Sequence, residues 1–383
     1  MKYGVFLSKR KPEEGGGYTI TKELVDSLIK SIIHKKYNTN FFFLISNDYD
    51  RKISNFLKKN KIKHQIIYEN LLLKKIIIFL SHYFEKINRI LNCLNIIKIN
   101  NIFEKENCDK ILFISSEYRE KINLPYIATV WDMQHETHPS FKEVSSYGKY
   151  LYKRVVNNNF IKNSNTVIVG TKAGKKEIIK FTKFKKKILI LPHPVSKIFI
   201  NYKNNKKSKS KKYFFYPANF WEHKNHENLL KGFKLFLKHN KNFNLILSGD
   251  KKNHYIKIKK LINDLSLAKE VKIVGHVKLK KLLSLYDNCY AVVYVSYSGP
   301  ENLPPLEALA RGKKLINSKY PGSEEQLKNF PIYIDPYSSN DIAKGMIKVT
   351  KTKHTQKYKN LEKYIKSKNS EVYIEKLLSH LIK

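Results

Sequence analysis

Residues 294–326 read YVSYSGPENLPPLEALARGKKLINSKYPGSEEQ, and this stretch decides the fold. It continues a short β-branched run, AVVYV at 291–295, which is typical of a buried strand. A Ser/Gly/Pro loop follows, and then Pro304 and Pro305, which suit the first turn of a helix because an N–H is not needed there. The helix formers at 306–311 end at a glycine, and KLIN predicts the next strand. Strand, loop, helix and strand in this order indicate an α/β fold.

The start of the predicted helix suits an anion. Unpaired N–H groups and the helix dipole point outward there, and the donors would come from Asn302, Leu303 and Leu306, because the two prolines have none. Glu307 falls at the edge of the inward-facing stripe, so its carboxylate is partly buried and needs partners. Sugar or ribose hydroxyls would serve as partners. The alternative is a first-turn glutamate that only complements the helix dipole.

The segment GPENLPPLEALARG, followed by KKLINSKYPGSEEQL, resembles the nucleotide-sugar-binding signature of the family 4 (group 1) retaining glycosyltransferases. The resemblance implies that Glu307 binds the donor ribose diol and that the amides near Asn302 and Leu303 bind the diphosphate. The family commonly has another glutamate beside the donor sugar, at the position that Gly299 occupies in this chain. Glu301, two residues later, is the candidate for that role.

A second part of the signature lies in FYPANFWEHKN. The family has a Gly-Arg turn here and a lysine five residues after the arginine, and both neutralise the departing diphosphate. Lys224 matches the lysine, whereas Asn219 stands at the arginine position. A lysine at a helix start opposes the dipole unless an anion binds there; the alternative is a surface lysine in a lysine-rich chain. Gly249, Val274 and Gly275 are further donor-binding candidates, the last two in a stretch that lies beside the nucleobase in the family.

A glycine loop near the start of the chain follows a predicted strand, KYGVFL, and precedes a predicted helix. This order is typical of α/β folds with an anion-tolerant loop. Gly16 and Gly17 resemble the Gly-Gly loop that the family places near the donor phosphates. A flexible turn is the alternative.

A polar turn, WDMQHE, follows the predicted strand at 126–130. Ligands of α/β folds bind beyond the carboxyl ends of parallel strands. The candidates for contact with the acceptor or the donor sugar are Asp132, His135, Glu136 and His138, and we favour Asp132 and His135 because similar stretches occur in a sub-branch of the family. A histidine there would act as an acid or base or hold a hydroxyl. The alternative for each residue is a loop-capping role.

The formal net charge is +42, with 74 Lys and Arg against 32 Asp and Glu. Such a charge suggests nucleic acid or an anionic membrane. The basic residues are mostly lysines spread along the chain among abundant Asn, Ile and Tyr, which is how an AT-rich genome biases codons, so we expect no nucleic-acid partner. Residues 71–103 alternate apolar and basic clusters and predict either a helix pressed on the sheet or an interfacial membrane helix.

Several classes of protein are excluded by what the sequence lacks. We expect no transmembrane helix and no signal peptide, because the apolar runs are too short. The three cysteines have no metal or redox spacing, so we expect no metal site and a reducing, cytoplasmic setting. Contact with the inner face of the membrane is a separate expectation, which rests on the basic and apolar clusters at 71–103. A phosphate-binding P-loop and a GxSxG elbow are also missing.

Together these patterns predict an α/β protein, and the resemblance implies the GT-B fold, with two Rossmann-like domains facing each other across a cleft. The first would span residues 1–200, completed by a C-terminal helix at about 365–383, and the second residues 201–364. The resemblance implies transfer of a hexose-type sugar, with retention and without metal or cofactor, from a UDP- or GDP-type donor to a glycan or lipid-linked acceptor. Surface polysaccharide or lipopolysaccharide synthesis would be the setting. The alternatives are another GT-B enzyme, such as an epimerase or a phosphorylase, and a non-enzymatic anion-binding protein.

Overall fold

The computed structural model describes residues 1–8, 16–34, 40–46, 51–68, 71–94, 96, 98–146, 149–201, 212–352 and 360–381. The chain forms two compact units. Unit 1 comprises Met1–Pro139, Val144–Pro192 and Ser370–Lys383, and unit 2 comprises Ser140–Glu143 and His193–Asn369. The chain therefore enters unit 2 at His193 and returns to unit 1 for its last helix.

Unit 1 is built on a parallel sheet, in which the described residues form seven strands in the order β3-β2-β1-β4-β5-β6-β7. The strands are β1 (Lys2–Leu7), β2 (Asn40–Ser46), β3 (His64–Ile67), β4 (Lys110–Leu112), β5 (Tyr126–Thr129), β6 (Thr166–Val169) and β7 (Lys187–Ile190). Their residues are mostly apolar and buried, as expected for strands covered by helices on both faces. The strand order reverses between β1 and β4, which is where α/β sheets place ligands.

The helices up to residue 182 belong to unit 1, except that the short helix Lys142–Ser145 begins in the segment assigned to unit 2. They are α1 (Gly16–Ile33), α2 (Arg51–Lys59), α3 (Leu71–Tyr83), α4 (Glu85–Cys93), α5 (Lys98–Lys105), α6 (Gln134–Thr137), α7 (Lys142–Ser145), α8 (Lys149–Asn163) and α9 (Lys172–Thr182). The last helix of the chain, α18 (Ser370–Leu381), packs on α1. The Ser27 hydroxyl donates to Ser370 Oγ at 2.7 Å, and the Tyr3 hydroxyl donates to the carbonyl of Leu381.

Unit 2 has a second parallel sheet, whose described strands follow the order β10-β9-β8-β11-β12-β13. The strands are β8 (Lys212–Pro217), β9 (Phe243–Ser248), β10 (Val271–Ile273), β11 (Ala291–Tyr294), β12 (Lys314–Ser318) and β13 (Ile332–Ile334). Phe214 and Phe215 show the two-residue alternation of a strand, because Phe214 belongs to the core on one face and Phe215 to the core on the other. The strand order reverses between β8 and β11.

The helices of unit 2 pack on both faces of its sheet. They are α10 (Lys197–Asn201), α11 (His226–Leu237), α12 (Tyr255–Asp264), α13 (Leu279–Asn288), α14 (Leu303–Ala310), α15 (Ser323–Leu327), α16 (Ser339–Lys351) and α17 (Leu361–Lys366), with a 3₁₀ turn at Glu222–Lys224. Leu306 and Leu309 of α14 are almost completely buried in the Phe215 core. This packing fixes α14 against β11 and β12, with its first residue following the carboxyl end of β11.

Two parts of the sequence prediction need correction. The amphipathic stretch at 71–103 is not one helix, because α3, α4 and the start of α5 divide it. The C-terminal helical region is likewise divided, into α17 and α18, and part of it lies outside the described residues. Two parallel Rossmann-like sheets confirm the predicted fold class. Among the described residues, no helix combines the length and the apolar character needed to span a bilayer.

Candidate functional site

The loop before α14 requires a glycine at position 299. Gly299 has φ of +117°, a conformation that L side chains rarely adopt. A Cβ added there would also lie 2.8 Å from Nδ2 of Asn302. The family's glutamate therefore does not fit at this position in the observed loop. The difference is built into the backbone and is more than a single replaced side chain.

The start of α14 has no side-chain cap. Asn302 occupies the N-cap position but its side chain makes no cap hydrogen bond to the helix, although asparagine is among the preferred N-caps. The Asn302 backbone N–H donates to Gln326 Oε1 at 3.1 Å, so the predicted phosphate donor at this residue is already engaged. Leu303 begins the helix and is 7% exposed, with the two prolines after it. The uncapped first turn keeps its positive dipole end.

The side chain of Asn302 faces Lys224 instead of the helix. Lys224 Nζ donates to Asn302 Oδ1 at 3.1 Å and to the Tyr294 hydroxyl at 2.8 Å. The Tyr294 hydroxyl in turn donates to Asn302 Oδ1 at 2.7 Å. These contacts bring an ammonium group to the N-terminus of α14, where its charge adds to the helix dipole. The arrangement suits a ligand with two or more negative charges.

Glu307 lies one turn into α14 and is 9% exposed, which is deeper than the sequence predicted. The hydroxyl of Tyr286, itself fully buried, donates to Glu307 Oε2 at 2.7 Å. Burial raises the pKa of Glu307 to about 7, and the hydrogen bond from Tyr286 opposes that rise. The carboxyl group therefore titrates near neutral pH and is held in one orientation by a neutral partner.

Four of the predicted donor-binding residues form a second group at the ends of β8, β9 and β10. Asn219 Oδ1 accepts the N–H of Asp250 at 2.8 Å, so this side chain shapes the turn after β9. The N–H of Gly249 donates to the carbonyl of Gly275 at 3.0 Å. A Cβ at Gly249 would lie 2.3 Å from the Ala218 carbonyl, so this position must be glycine. Val274 is held to β9 through the carbonyl of Leu247 at 2.9 Å.

Glu301 is enclosed in unit 2. Its side chain is 1% exposed, and its carboxylate accepts the backbone N–H of His193 at 3.0 and 3.2 Å. Nδ1 of His193 lies 3.2 Å from Glu301 Oε2. Burial raises the pKa of Glu301 and lowers that of His193, so both shifts favour an uncharged pair with the proton on the carboxyl group. The pair anchors the first residue of unit 2 to the loop before α14.

The polar turn after β5 forms a network within unit 1. His135 is 3% exposed, and its Nε2 lies 3.0 Å from Asn158 Oδ1. Asn158 Nδ2 donates to Glu136 at 2.6 Å, which orients the amide so that His135 Nε2 carries the proton. Burial lowers the pKa of His135, so the imidazole is neutral at pH 7.

Other predicted residues of unit 1 lie near this network or at the start of α1. Asp132 is exposed, and its Oδ1 accepts the N–H of Gln134 at 2.9 Å, which is a capping contact. Gly16 and Gly17 are the first two residues of α1. Glu177 on α9 was not predicted; burial, and secondly the charge of Asp132, raise its pKa to about 7.

Sequence reasoning missed the residues that orient the predicted ones. Tyr286, Tyr294 and Asn158 appear in the sequence as ordinary helix and strand residues, and nothing in their spacing indicates a partner. Only the position of Tyr294 at the carboxyl end of its strand is a usable signal.

Among the described parts of the chain, no cluster of three or more His, Cys, Asp or Glu side chains is arranged to hold a metal ion.

In the comparison with known proteins, a family model matches the second half of the chain. Residues 198–368 match the family model described as "Glycosyl transferases group 1". The chain is 27% identical over 203 residues to the O-antigen chain mannosyltransferase RfbU of Salmonella typhimurium (strain LT2). That match spans about half the length of each protein, 53% of this chain and 55% of the relative.

Solved structures similar to this chain cover its whole length. A glycosyltransferase from Rickettsia africae superimposes with a TM-score of 0.67 at 15% identity. The match includes 99% of this chain and 97% of the Rickettsia chain. Anabaena Alr3699/HepE, solved in complex with UDP and glucose, also has a TM-score of 0.67 at 15% identity, covering 100% and 99%. At this level of identity the likeness shows the shared GT-B fold of two Rossmann-like units.

Proposed function

We propose that this chain transfers a hexose-type sugar from a nucleotide diphosphate sugar to an acceptor hydroxyl, and the match of residues 198–368 to the group 1 glycosyltransferase family model supports the proposal. The observation that carries the proposal is the position of Lys224 at the uncapped start of α14. An ammonium group and a helix dipole meet at one point, and a diphosphate leaving group needs such a place.

The residues around Lys224 have a direct role in this reaction. As the bond between the sugar and the diphosphate breaks, negative charge grows on the leaving oxygen. Lys224 and the amides at the start of α14 stabilise that charge, and Asn302 and Tyr294 hold the ammonium in position before the reaction. Stabilisation by this cation and these dipoles needs no metal. We expect the acceptor to attack from the face that the diphosphate leaves, which retains the configuration of the sugar.

Glu307 is proposed to hold the ribose of the donor. An ionised carboxylate accepts two hydrogen bonds from a diol, and the Tyr286 hydroxyl fixes its orientation. Asn219, Gly249, Val274 and Gly275 border the ends of the neighbouring strands, where backbone groups and close approach suit the nucleotide. UDP is the first donor to test, because the Anabaena relative was solved with UDP, and GDP is the second.

The acceptor is proposed to be a glycan or a lipid-linked glycan in surface polysaccharide or lipopolysaccharide synthesis. This rests on the similarity to an O-antigen chain mannosyltransferase. Asp132 and His135 of unit 1 are the proposed contacts to the acceptor, Gly16 and Gly17 at the start of α1 remain an untested anion-binding prediction, and a cytoplasmic setting would supply nucleotide sugars. Glu301 is not assigned a contact with the donor sugar, because His193 encloses its carboxyl group.

Donor binding tests the proposal first. Thermal unfolding is measured with UDP-, GDP-, ADP- and dTDP-sugars for the wild type and for Glu307→Ala. A ligand at 100 times its Kd adds about 2.7 kcal/mol to the free energy of unfolding, which such a scan resolves. We expect one nucleotide class to stabilise the wild type and not the variant. If no nucleotide sugar shifts the wild type, the proposed donor site does not exist.

A further inference from the structure

A short segment from the first half of the chain belongs to unit 2. Unit 2 includes Ser140–Glu143, whereas Pro139 and Val144 on either side belong to unit 1. The segment lies outside residues 198–368, which match the family model. The residues proposed above to bind the donor include none of these four. We call them the 140–143 segment.

Glu143 binds the turn that carries Lys224. Its Oε1 accepts the backbone N–H of His223 at 3.2 Å and a second hydrogen bond from Nδ1 of the same residue. Its Oε2 accepts a hydrogen bond from Asn253 Nδ2 at 2.8 Å. The side chain of Glu143 is only 9% exposed. Both oxygens of a nearly buried carboxylate therefore have partners, and two of the three contacts go to the residue next to Lys224.

These partners keep Glu143 ionised. Burial raises the pKa of its carboxyl group, but the hydrogen bonds from His223 and Asn253 outweigh burial and lower that pKa to about 2. Hydrogen bonds to an ionised acceptor are stronger than those to a neutral one. At neutral pH the contact between Glu143 and the backbone of His223 is therefore charge-assisted.

Two further contacts join the 140–143 segment to the same region. The backbone N–H of Lys142 donates to Glu222 Oε2 at 3.0 Å. The ring of Phe141 stacks on that of Tyr297, with centroids 6.0 Å apart and an interplanar angle of 20°, and its centroid lies 6.1 Å from that of His223. Three consecutive residues of the segment therefore contact the 3₁₀ turn or the loop after β11.

His223 also contacts the loop between β11 and α14. Its carbonyl accepts the N–H of Tyr297 at 2.9 Å and the hydroxyl of Ser296 at 3.2 Å. The turn is thus held on one side by this loop and on the other by Glu143. The next residue is Lys224, and a group that stabilises a leaving group has to be held to within about 0.5 Å of its productive position.

We infer that the 140–143 segment orders the turn Glu222–Lys224 and thereby positions Lys224 for the departing diphosphate. Glu143 is the main positioning residue and Phe141 the second. Neither residue touches the donor itself. The ordering of the turn depends only on contacts within unit 2, whereas its consequence for catalysis rests on the proposed function.

Hydrogen exchange tests the ordering of the turn without any ligand. Glu143→Ala should speed the exchange of the backbone amides at 222–225 about tenfold or more, because the N–H of His223 loses its charged acceptor. Glu362→Ala is the matched control, because Glu362 also forms an ion pair in unit 2, with Lys366 at 2.6 Å. The control should leave these amides unchanged. Unchanged exchange in Glu143→Ala overturns the inference.

A double-mutant cycle tests the consequence for Lys224. Glu143→Ala should lower kcat about tenfold and change KM less than about twofold, because the charge on the leaving group is stabilised mainly in the transition state. In the Lys224→Met background the same change should lower kcat less than about twofold, since no ammonium group is left to position. Equal effects in the two backgrounds would show that Glu143 acts independently of Lys224, and the inference would be wrong.

Two milder variants keep the test decisive if Glu143→Ala does not fold. Glu143→Gln retains an oxygen that accepts the His223 N–H, so it should keep more of the wild-type kcat than the alanine variant. Phe141→Leu loses the ring stack on Tyr297 and should lower kcat about threefold. A lower melting temperature with unchanged kcat in these variants would leave the segment a structural role alone and overturn the inference.

Failure of this inference is distinguishable from failure of the proposed function. If the wild type neither binds a nucleotide sugar nor transfers a sugar, the proposed function fails, and the role of Lys224 fails with it. The exchange experiment, which needs no ligand, then still decides whether the 140–143 segment orders the turn. If the wild type is active and the cycle shows no coupling, only the positioning role is lost.

Discussion

The site of unit 2 and the polar turn of unit 1 both position ionisable side chains, but they do so with different partners. In unit 2, neutral tyrosine and asparagine side chains orient Lys224 and Glu307. In unit 1, Asn158 joins His135 to Glu136, whose carboxylate also lies 3.6 Å from Arg154. Neutral partners orient the charges of Lys224 and Glu307 without cancelling them, whereas the charge of Glu136 in unit 1 is partly offset by Arg154. We therefore expect substitutions around Lys224 and Glu307 to act on donor binding and those that break the Asn158 network to act on stability.

The largest effect is expected from Lys224. Lys224→Met should lower kcat for sugar transfer by roughly a hundredfold or more, because a charge that stabilises the leaving group acts mainly in the transition state. Steady-state kinetics with the preferred donor measure this effect. Lys257→Met is the matched control, because Lys257 lies on α12 of the same unit, is exposed, and pairs with Glu227 at 2.7 Å. An unchanged kcat in Lys224→Met would remove the leaving-group role.

Glu307→Gln should weaken donor binding and also change stability. The ionised carboxylate is the form that accepts two diol hydrogen bonds, so wild-type donor affinity should rise as pH increases through about 7. The glutamine variant should bind roughly tenfold or more weakly above that pH and lose this pH dependence. Calorimetric titrations of the donor between pH 6 and pH 8.5 measure both effects. A pH-independent wild type would contradict the assignment.

The same variant gives a stability test without ligand. The folded pKa of Glu307, about 7, lies above its ordinary value of 4.5, so the folded state holds the proton more tightly. Its contribution to stability is complete below pH 4.5 and is lost as pH rises towards 7. Glu307→Gln should therefore raise the free energy of unfolding at pH 8 by up to about 3 kcal/mol and change it little at pH 4.5. A variant that is destabilised at pH 8 would show that the carboxylate stabilises the fold.

A smaller effect is expected from Tyr286, which contacts the proposed ligand only through Glu307. Removing its hydroxyl takes away the hydrogen bond that opposes the raised pKa. Tyr286→Phe should therefore shift the pH profile of donor binding upwards and weaken the affinity a few-fold at pH 7. The phenyl ring keeps its edge-to-face contacts with Phe199 and Phe215, so folding should survive. If affinity falls without any shift in the pH profile, Tyr286 acts through packing alone.

These orienting contacts also show where sequence reasoning stops. The stretch at 294–326 predicted β11, α14 and β12 because apolar runs, prolines and a glycine are local signals. Helix α8 was not predicted, because its asparagine-rich sequence has no apolar periodicity, and β13 is only three residues long. Local signals therefore predicted the alternation of strands and helices, and they were weakest at short or polar elements.

The residues of the candidate site likewise divide into those that the sequence predicts and those that it does not. Lys224 and Glu307 stand out because charge at a helix start or beside an apolar stripe is unusual. Tyr286 and Tyr294 do not, because a tyrosine in a strand or helix is ordinary until the fold brings it to a partner 21 or 70 residues away. The φ of Gly299 likewise belongs to the folded loop. Residues that act as partners across the fold are therefore the part that a single sequence does not show.

The smallest effect on donor binding is expected in unit 1, where Asn158→Ala tests the other half of the comparison. Without the amide, His135 loses its acceptor and Glu136 loses a donor, so the free energy of unfolding should fall by about 1–3 kcal/mol. Donor affinity should stay within about twofold of the wild type, because the Asn158 amide bonds only to side chains of unit 1 and the charge of Glu136 has Arg154 as a partner. Chemical denaturation and donor titration of the same preparation measure the two quantities. If donor affinity falls while stability is kept, the network binds the donor, and the division between a ligand-binding unit 2 and a structural network in unit 1 fails.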